Sequence, residues 1–175
     1  DYCDDVLAET ADITVGDAWL PEYVQDWRGT NIVVIRNPGI NKLVQEAIGD
    51  GRLNLEAIPP EKVYQSQGAG FRHRRDGLAY RLLLKDKAGA WRPPKRVQAS
   101  GDFNKSRKTI YKLRIQLVNH SFAAFRRAKE QEDFRVFVKE MEPLLEKYKK
   151  ANRGPLWRRT LSKGKRMVKS LVSLK

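Results

Sequence analysis

The chain has 175 residues, a hydrophobic content of 41% and a formal net charge of +14, which suits one domain with an extension. It has no run of about 18 apolar residues and no charged-then-apolar leader, so neither a membrane-spanning helix nor a signal peptide is predicted. A single cysteine, Cys3, excludes an internal disulfide and favours a reducing, cytoplasmic compartment.

The charge is unevenly distributed along the chain. Residues 1–63 contain 5 Lys+Arg and 12 Asp+Glu, whereas residues 64–175 contain 30 and 9. This asymmetry predicts two differently built halves. The basic half suits nucleic acid, anionic lipid or an acidic partner as a binding target.

The acidic half alternates between strand and helix patterns. Residues 11–18 alternate apolar and polar side chains up to a Gly-Asp corner, and residues 31–36 form a β-branched run typical of a strand covered on both faces. A helix is predicted over 40–48 and another strand over 53–58. Strand, helix and strand within about 30 residues indicate a βαβ unit. The predicted fold class is therefore α/β, with a small, mostly parallel sheet.

The basic half has helical patterns separated by loops. A helix is predicted over 76–87, a connector over 89–100 and a long helix over 103–129. Apolar residues at helical spacing continue over 134–148, where Pro143 is expected to kink or restart the helix. These two long stretches predict an antiparallel helical hairpin.

Four segments follow from these patterns: 1–63, an α/β part; 64–101, a basic helix with its connector; 102–150, the hairpin; and 151–175, a basic tail. Residues 156–175 place apolar side chains on one helical face and contain no acidic residue. This pattern is typical of an interfacial membrane helix. A frayed tail, or a helix packed on an acidic partner, is the alternative.

Three runs in the acidic half carry a family resemblance. YCDD at residues 2–5, AETADITVGDAW at 8–19 and GTNIVVIRNPG at 29–39 resemble the carboxy-terminal domain of the coenzyme F420 hydrogenase/dehydrogenase beta-subunit family. In that family a Cys-x-x-Cys pair precedes such runs. The resemblance implies that Cys3 is the second cysteine of the pair and a metal ligand, with its companion one residue upstream of Asp1. The stretch 70–84 looks like family members associated with bacterial polysaccharide genes.

The resemblance implies a flavoprotein with FAD and iron–sulfur clusters that passes electrons between a deazaflavin or ferredoxin-like donor and a substrate. The chain is then a carboxy-terminal fragment of an oxidoreductase subunit, and its partners are the upstream part of the same polypeptide and a redox partner protein. One cysteine cannot hold a cluster. The fragment alone is expected to be inactive.

Several residues near the predicted strand ends could contact a cofactor. Asp17 follows a strand, where ligands of α/β sheets usually bind, and Arg36 suits a phosphate through its fork of donors. A flavin ring could stack on Trp19. Ordinary turn chemistry, a surface arginine and aromatic packing are the alternative readings. The predicted cofactor-binding residues are Gly16, Asp17, Trp19, Thr30, Asn31 and Arg36.

Two other function classes stay open. A non-catalytic adaptor would use a degenerate redox scaffold to bring its basic helices to a membrane or an anionic polymer. Residues 71–75 and 91–96 mix cations with aromatics, as single-stranded nucleic-acid binders do, but no recognised nucleic-acid fold accompanies them. Nucleic acid is therefore not the favoured partner. The predicted location is cytoplasmic, with the tail allowing attachment to the inner membrane face.

Overall fold

The computed structural model describes residues 2–153. The chain divides between Ala99 and Ser100 into two compact units, which are described separately below. The basic tail predicted over 156–175 lies outside the described residues. Within the described part, no helix is both long and apolar enough to cross a lipid bilayer.

The first unit contains a two-stranded ribbon. Strand β1 (Ile13–Asp17) pairs with β2 (Asn31–Ile35) in antiparallel register, so that Ile13 lies opposite Ile35 and Asp17 lies opposite Asn31. Gly29 has a φ of +79°, a conformation that glycine adopts without steric cost, and it immediately precedes the return of the chain into β2.

The prediction of a mostly parallel sheet with a βαβ unit is wrong. The described residues form only this antiparallel ribbon, and helices hold more than half of them. Residues 53–58, predicted as a strand, belong to no strand. Strand β2 is not covered on both faces either, since only Ile32 in it is buried. A Val/Ile run is compatible with a half-buried antiparallel strand as well as with a buried parallel one, and here the nearest earlier strand supplies the pairing.

Helices complete the first unit. Helix α1 (Pro38–Gly49) confirms the helix predicted over 40–48, and its N-cap Asn37 accepts hydrogen bonds from the backbone N–H groups of Gly39 and Ile40 at 2.8 and 3.2 Å. Helices α2 (Pro60–Ser66) and α3 (Gly68–Phe71) lead into a π-helical turn, Arg72–Asp76. That turn continues into α4 (Gly77–Lys87), which confirms the helix predicted over 76–87.

The core of the first unit is centred on α4. Leu78 and Leu82 are fully buried, and Ala79 and Tyr80 between them are buried as well. With Gly77, five positions of this short helix are buried, which indicates that it is surrounded by chain and that its packing holds the basic π-helical turn immediately before it in place.

The second unit is a hairpin of two long helices, α5 (Lys105–Glu130) and α6 (Phe134–Arg153). The pairing is antiparallel, because Arg127 near the loop binds Glu140 while Arg114 far from it donates to the Tyr148 hydroxyl at 3.1 Å. Helix α6 runs through Pro143 as one element, so the restart predicted there does not occur. The hairpin core is thin, since no residue of α6 is buried.

Candidate functional site

The segment that carries the only cysteine is folded into an ordered turn. We call residues 2–12 the cysteine segment. The Asp5 carboxylate accepts hydrogen bonds from the backbone N–H groups of Leu7 and Glu9 at 3.1 Å, which closes the turn. Cys3 is exposed at its start. The thiol is therefore presented on the surface by a locally fixed backbone.

A guanidinium group lies beside this thiol. Arg74 Nη1 is 3.5 Å from Cys3 Sγ and donates to the Asp5 carbonyl at 2.6 Å. Arg74 belongs to the π-helical turn Arg72–Asp76, which is continuous with the buried helix α4. The position of the positive charge next to the sulfur is thus set by the core of the unit.

Three more cations bind the acidic groups of the cysteine segment. Lys95 Nζ and Arg96 Nε contact the two oxygens of Asp4 at 2.8 and 2.5 Å. Glu9 accepts from Arg75 at 2.7 Å and from Arg96 at 2.6 Å. Arg96 therefore bridges both carboxylates, which gives a connected network of ion pairs. We call the four side chains the cation cluster: Arg74, Arg75, Lys95 and Arg96.

This network fixes the charge state of its carboxylates. Asp4 is buried, yet hydrogen bonds from Lys95 and then from Arg96 hold its pKa at about 2 against the opposing effect of burial. Hydrogen bonding from Arg96 also lowers the pKa of Glu9. Both groups are therefore anionic at neutral pH.

Arg36 joins the cysteine segment to the ribbon. Its guanidinium donates to the Leu7 carbonyl at 3.0 Å, to the Ala11 carbonyl at 2.9 Å and to the Thr14 hydroxyl at 3.0 Å. Three protein oxygens thus accept from the guanidinium N–H groups that were predicted to bind a cofactor phosphate. The contact between Arg36 and a cofactor stays a prediction.

The other predicted cofactor residues lie at the opposite end of the ribbon. Asp17 pairs with Asn31, and the Ala18 N–H donates to the Thr30 carbonyl at 2.8 Å just beyond the last pair. The Asp17 carbonyl accepts from Gln67 Nε2 at 2.8 Å. Arg36 immediately follows β2 (Asn31–Ile35), so it is separated from Asn31 by about 16 Å along the strand.

The structure thus brings five of the predicted residues together and leaves Arg36 at the other end of the ribbon, where it binds the cysteine segment that contains Cys3. We call the five the ribbon corner, in which the Trp19 side chain is 64% exposed. The ribbon corner consists of Gly16, Asp17, Trp19, Thr30 and Asn31.

The first part of the chain is similar to a known family. Residues 1–61 match the family model that describes the C terminus of the coenzyme F420 hydrogenase/dehydrogenase beta subunit. The match confirms the resemblance that the sequence predicted. No curated protein and no solved structure matches the chain.

The family match covers the cysteine segment, the ribbon and α1, but it ends before the cation cluster. The side chains that bind Cys3 and Asp4 therefore come from outside the matched region. Sequence reasoning missed them, because it weighed 71–75 and 91–96 only as a surface for nucleic acid. The complementary charge of the two halves was the signal that could have paired them.

The described residues do not form a complete metal site. No group of three or more His, Cys, Asp or Glu side chains in this part of the chain is placed to hold a metal ion. An iron–sulfur cluster is held by several thiolates, usually four. The residues present therefore supply at most one ligand, Cys3, and the cluster that the family implies does not fit them alone.

Proposed function

We propose that this chain is the carboxy-terminal part of an FAD- and iron–sulfur-dependent oxidoreductase subunit. The proposed subunit transfers electrons between a deazaflavin or ferredoxin-like donor and a substrate. The observation that carries the proposal is the family match over residues 1–61, which includes the exposed Cys3 and the whole ribbon. The redox role is thus assigned to the first unit.

In this proposal Cys3 supplies one thiolate of a metal centre whose other ligands come from the upstream part of the same polypeptide. The cysteine segment contains Asp4, Asp5, Glu9 and Asp12 and no Lys or Arg, so a thiolate there adds to an existing negative charge. The cation cluster offsets that charge, and Arg74 lies within hydrogen-bonding distance of the sulfur. Net charge and hydrogen bonds to sulfur are the means by which proteins adjust iron–sulfur potentials.

The ribbon corner is the proposed flavin-facing surface. Its backbone at Gly16 has open space where a side chain would stand, and Trp19 beside it is exposed. An exposed indole can stack on an aromatic ring system. The similarity of residues 70–84 to proteins of polysaccharide loci supports a substrate in polysaccharide biosynthesis, with the protein acting in the cytoplasm.

The test is reconstitution of the chain together with the coding sequence upstream of Asp1. The extended protein is made without oxygen, supplied with iron, sulfide and FAD, and analysed for bound iron, bound flavin and their visible absorption. We expect both cofactors to copurify. Colourless protein that holds neither iron nor flavin after reconstitution would contradict the proposal.

A second candidate is a non-catalytic adaptor. The observation that favours it is the incomplete set of metal ligands in the described part of the chain. In that case the redox scaffold serves only to carry the basic helical half to an anionic partner. If the protein extended upstream of Asp1 binds an anionic partner while it holds neither iron nor flavin, that result would support the adaptor function.

A further inference from the structure

The two faces of the α5–α6 hairpin differ sharply. On one face, Phe125 contacts the Phe137 ring edge-on at 6.0 Å between centroids, and Phe134 stacks on Phe137 at 5.3 Å. These contacts join the exposed apolar side chains of the two helices into a single surface. We call this surface the aromatic face; its exposed members are Val118, Phe122, Phe125, Phe134, Val138 and Leu145.

The opposite side of the hairpin contains a groove between the helices, lined by both polar and apolar side chains. On α5 the groove residues Gln116 and His120 stand about 120° to 180° around the helix axis from Phe122 and Phe125. The groove is lined by Gln116, Asn119 and His120 of α5 and by Glu140, Pro143 and Lys147 of α6. The groove therefore lies apart from the aromatic face, which offers apolar contact on the other side of the hairpin.

The aromatic face is too exposed to be explained by the hairpin itself. Phe122 is 70% exposed and Phe134 is 63% exposed. Helix α6 has no buried residue along its whole length, although it carries apolar side chains at helical spacing. Contiguous exposed apolar surface of this kind marks an interaction site.

Charge indicates what covers this face. Residues 105–153 contain 14 Lys+Arg and 6 Asp+Glu. Arg126 and Lys129, both exposed, stand one turn from Phe122 and Phe125 on α5. A second copy of the chain would bring a hairpin of the same net charge against this face, so self-association is less favoured than contact with an anionic surface. An anionic surface meets both the apolar and the charged side chains.

We propose that the aromatic face docks on an anionic lipid surface, with both helices lying in the plane of the interface. Phenylalanine side chains on one side and long basic side chains around them are the pattern of interfacial helices. A flat bilayer can bind a surface that has no groove. A face that lies away from the interhelical groove therefore suits a bilayer better than it suits a partner helix. Residues 156–175, with seven Lys+Arg and no Asp or Glu, add to the attraction by their charge.

The test is co-sedimentation of the full chain with phosphatidylcholine vesicles that contain or lack phosphatidylserine. We expect binding only to the vesicles with phosphatidylserine, weakening as salt is added. The double variant Phe122→Ser/Phe134→Ser should lower the partition coefficient by about tenfold or more. Arg126→Glu/Lys129→Glu should lower it by a similar factor.

Matched controls lie in the first unit. Leu43→Ser/Trp27→Ser changes two exposed apolar side chains, and Lys42→Glu/Lys87→Glu reverses two exposed cations; both should bind like the original chain. Far-UV circular dichroism confirms that each variant retains its helices.

Unchanged binding of the Phe122/Phe134 variant, equal binding to neutral vesicles, or no binding to either vesicle would overturn the proposal. The last result would leave an acidic protein helix as the occupant. The proposal is independent of the redox function, because no vesicle result depends on a bound cofactor.

Discussion

At the scale of single residues, the best-defined feature is the buried Asp4 carboxylate held by Lys95 and Arg96. Removing one partner of such a network leaves the other charges without their counter-ion, which costs more than the interaction itself contributes. The network fastens the start of the chain to the connector after α4. Cys3 is the adjacent residue, so its position depends on these contacts.

The substitution Asp4→Asn should destabilise the first unit by about 2 kcal/mol, because it removes the anion from two charge-assisted hydrogen bonds. Chemical denaturation followed by circular dichroism measures the change. Glu46→Gln, an exposed site on α1, is the control and should stay within about 0.5 kcal/mol of the original. Equal stability of the two variants would show that the network does not hold the segment.

The pH dependence of stability follows from the same groups. The folded-state pKa values of Asp4, at about 2, and of Glu9 lie below their ordinary values of 3.8 and 4.5. Lowered values mean that the stabilisation is complete above the unfolded-state pKa values and is lost as the pH falls towards the folded-state values. Thermal unfolding should therefore show a Tm that falls between pH 4.5 and pH 2, and Asp4→Asn should flatten that decline. A Tm independent of pH over this range would contradict the assigned ion pairs.

Gly29 provides a backbone test near the ribbon corner. Its φ of +79° is strained for any residue with a Cβ, although open space surrounds it. Gly29→Ala should therefore destabilise the first unit by about 1 kcal/mol. Gly49→Ala, at the last residue of α1 with ordinary φ and equally open space, should be neutral or slightly stabilising in the same denaturation experiment. Equal effects at the two positions would contradict the strain at Gly29.

At the scale of elements, sequence periodicity located α1, α4, α5 and α6, missed α2 and α3, and failed on the sheet. The helix over 40–48 was predictable because its apolar spacing stands beside Asn37, Pro38 and Gly49, which mark its ends. Strand direction has no such local signal. The run 31–36 fits either pairing, and the choice depends on whether the chain between 18 and 30 returns beside β1. The helix could thus be predicted from residues adjacent in sequence, whereas the strand that pairs with β2 could not.

The candidate site divides in the same way. Cys3 could be found from its motif because the relevant residues are adjacent in sequence. Its neighbours could not, since Arg74 and Arg96 are separated from their partners by 71 and 92 positions. In the sequence, residues 72–76 are indistinguishable from an ordinary solvated run of charges. Only the fold shows that this turn lies beside the cysteine segment.

Helix α6 gives a prediction at this scale, because Pro143 lies inside it. Proline lacks the N–H that would bond to the fourth preceding carbonyl, and its ring crowds that carbonyl. Pro143→Ala should therefore stabilise the hairpin by about 1 to 3 kcal/mol. Thermal unfolding monitored at the helix signal measures this, with Glu142→Ala, the exposed neighbouring position, as the control. A lower Tm for Pro143→Ala than for the control would show that proline packing outweighs the lost hydrogen bond.

At the scale of the whole molecule, the uneven charge serves two purposes. In the first unit it is used internally, where the cation cluster binds the acidic cysteine segment. In the second unit Arg126 and Lys129 are exposed beside an apolar surface, which is the basis of the proposed lipid contact. A net charge of +14 alone could not distinguish these uses. The two proposals accordingly place redox chemistry in the first unit and docking in the second.

The central claim is that Cys3 is a cluster ligand in the intact protein. The measurement that tests it most directly is the iron content and visible absorption of the upstream-extended protein, reconstituted without oxygen, compared with its Cys3→Ser variant. Circular dichroism confirms that the variant is folded. We expect the original to bind iron with cluster absorption and Cys3→Ser to lose most of both. An unchanged iron content and spectrum in Cys3→Ser would contradict the assignment.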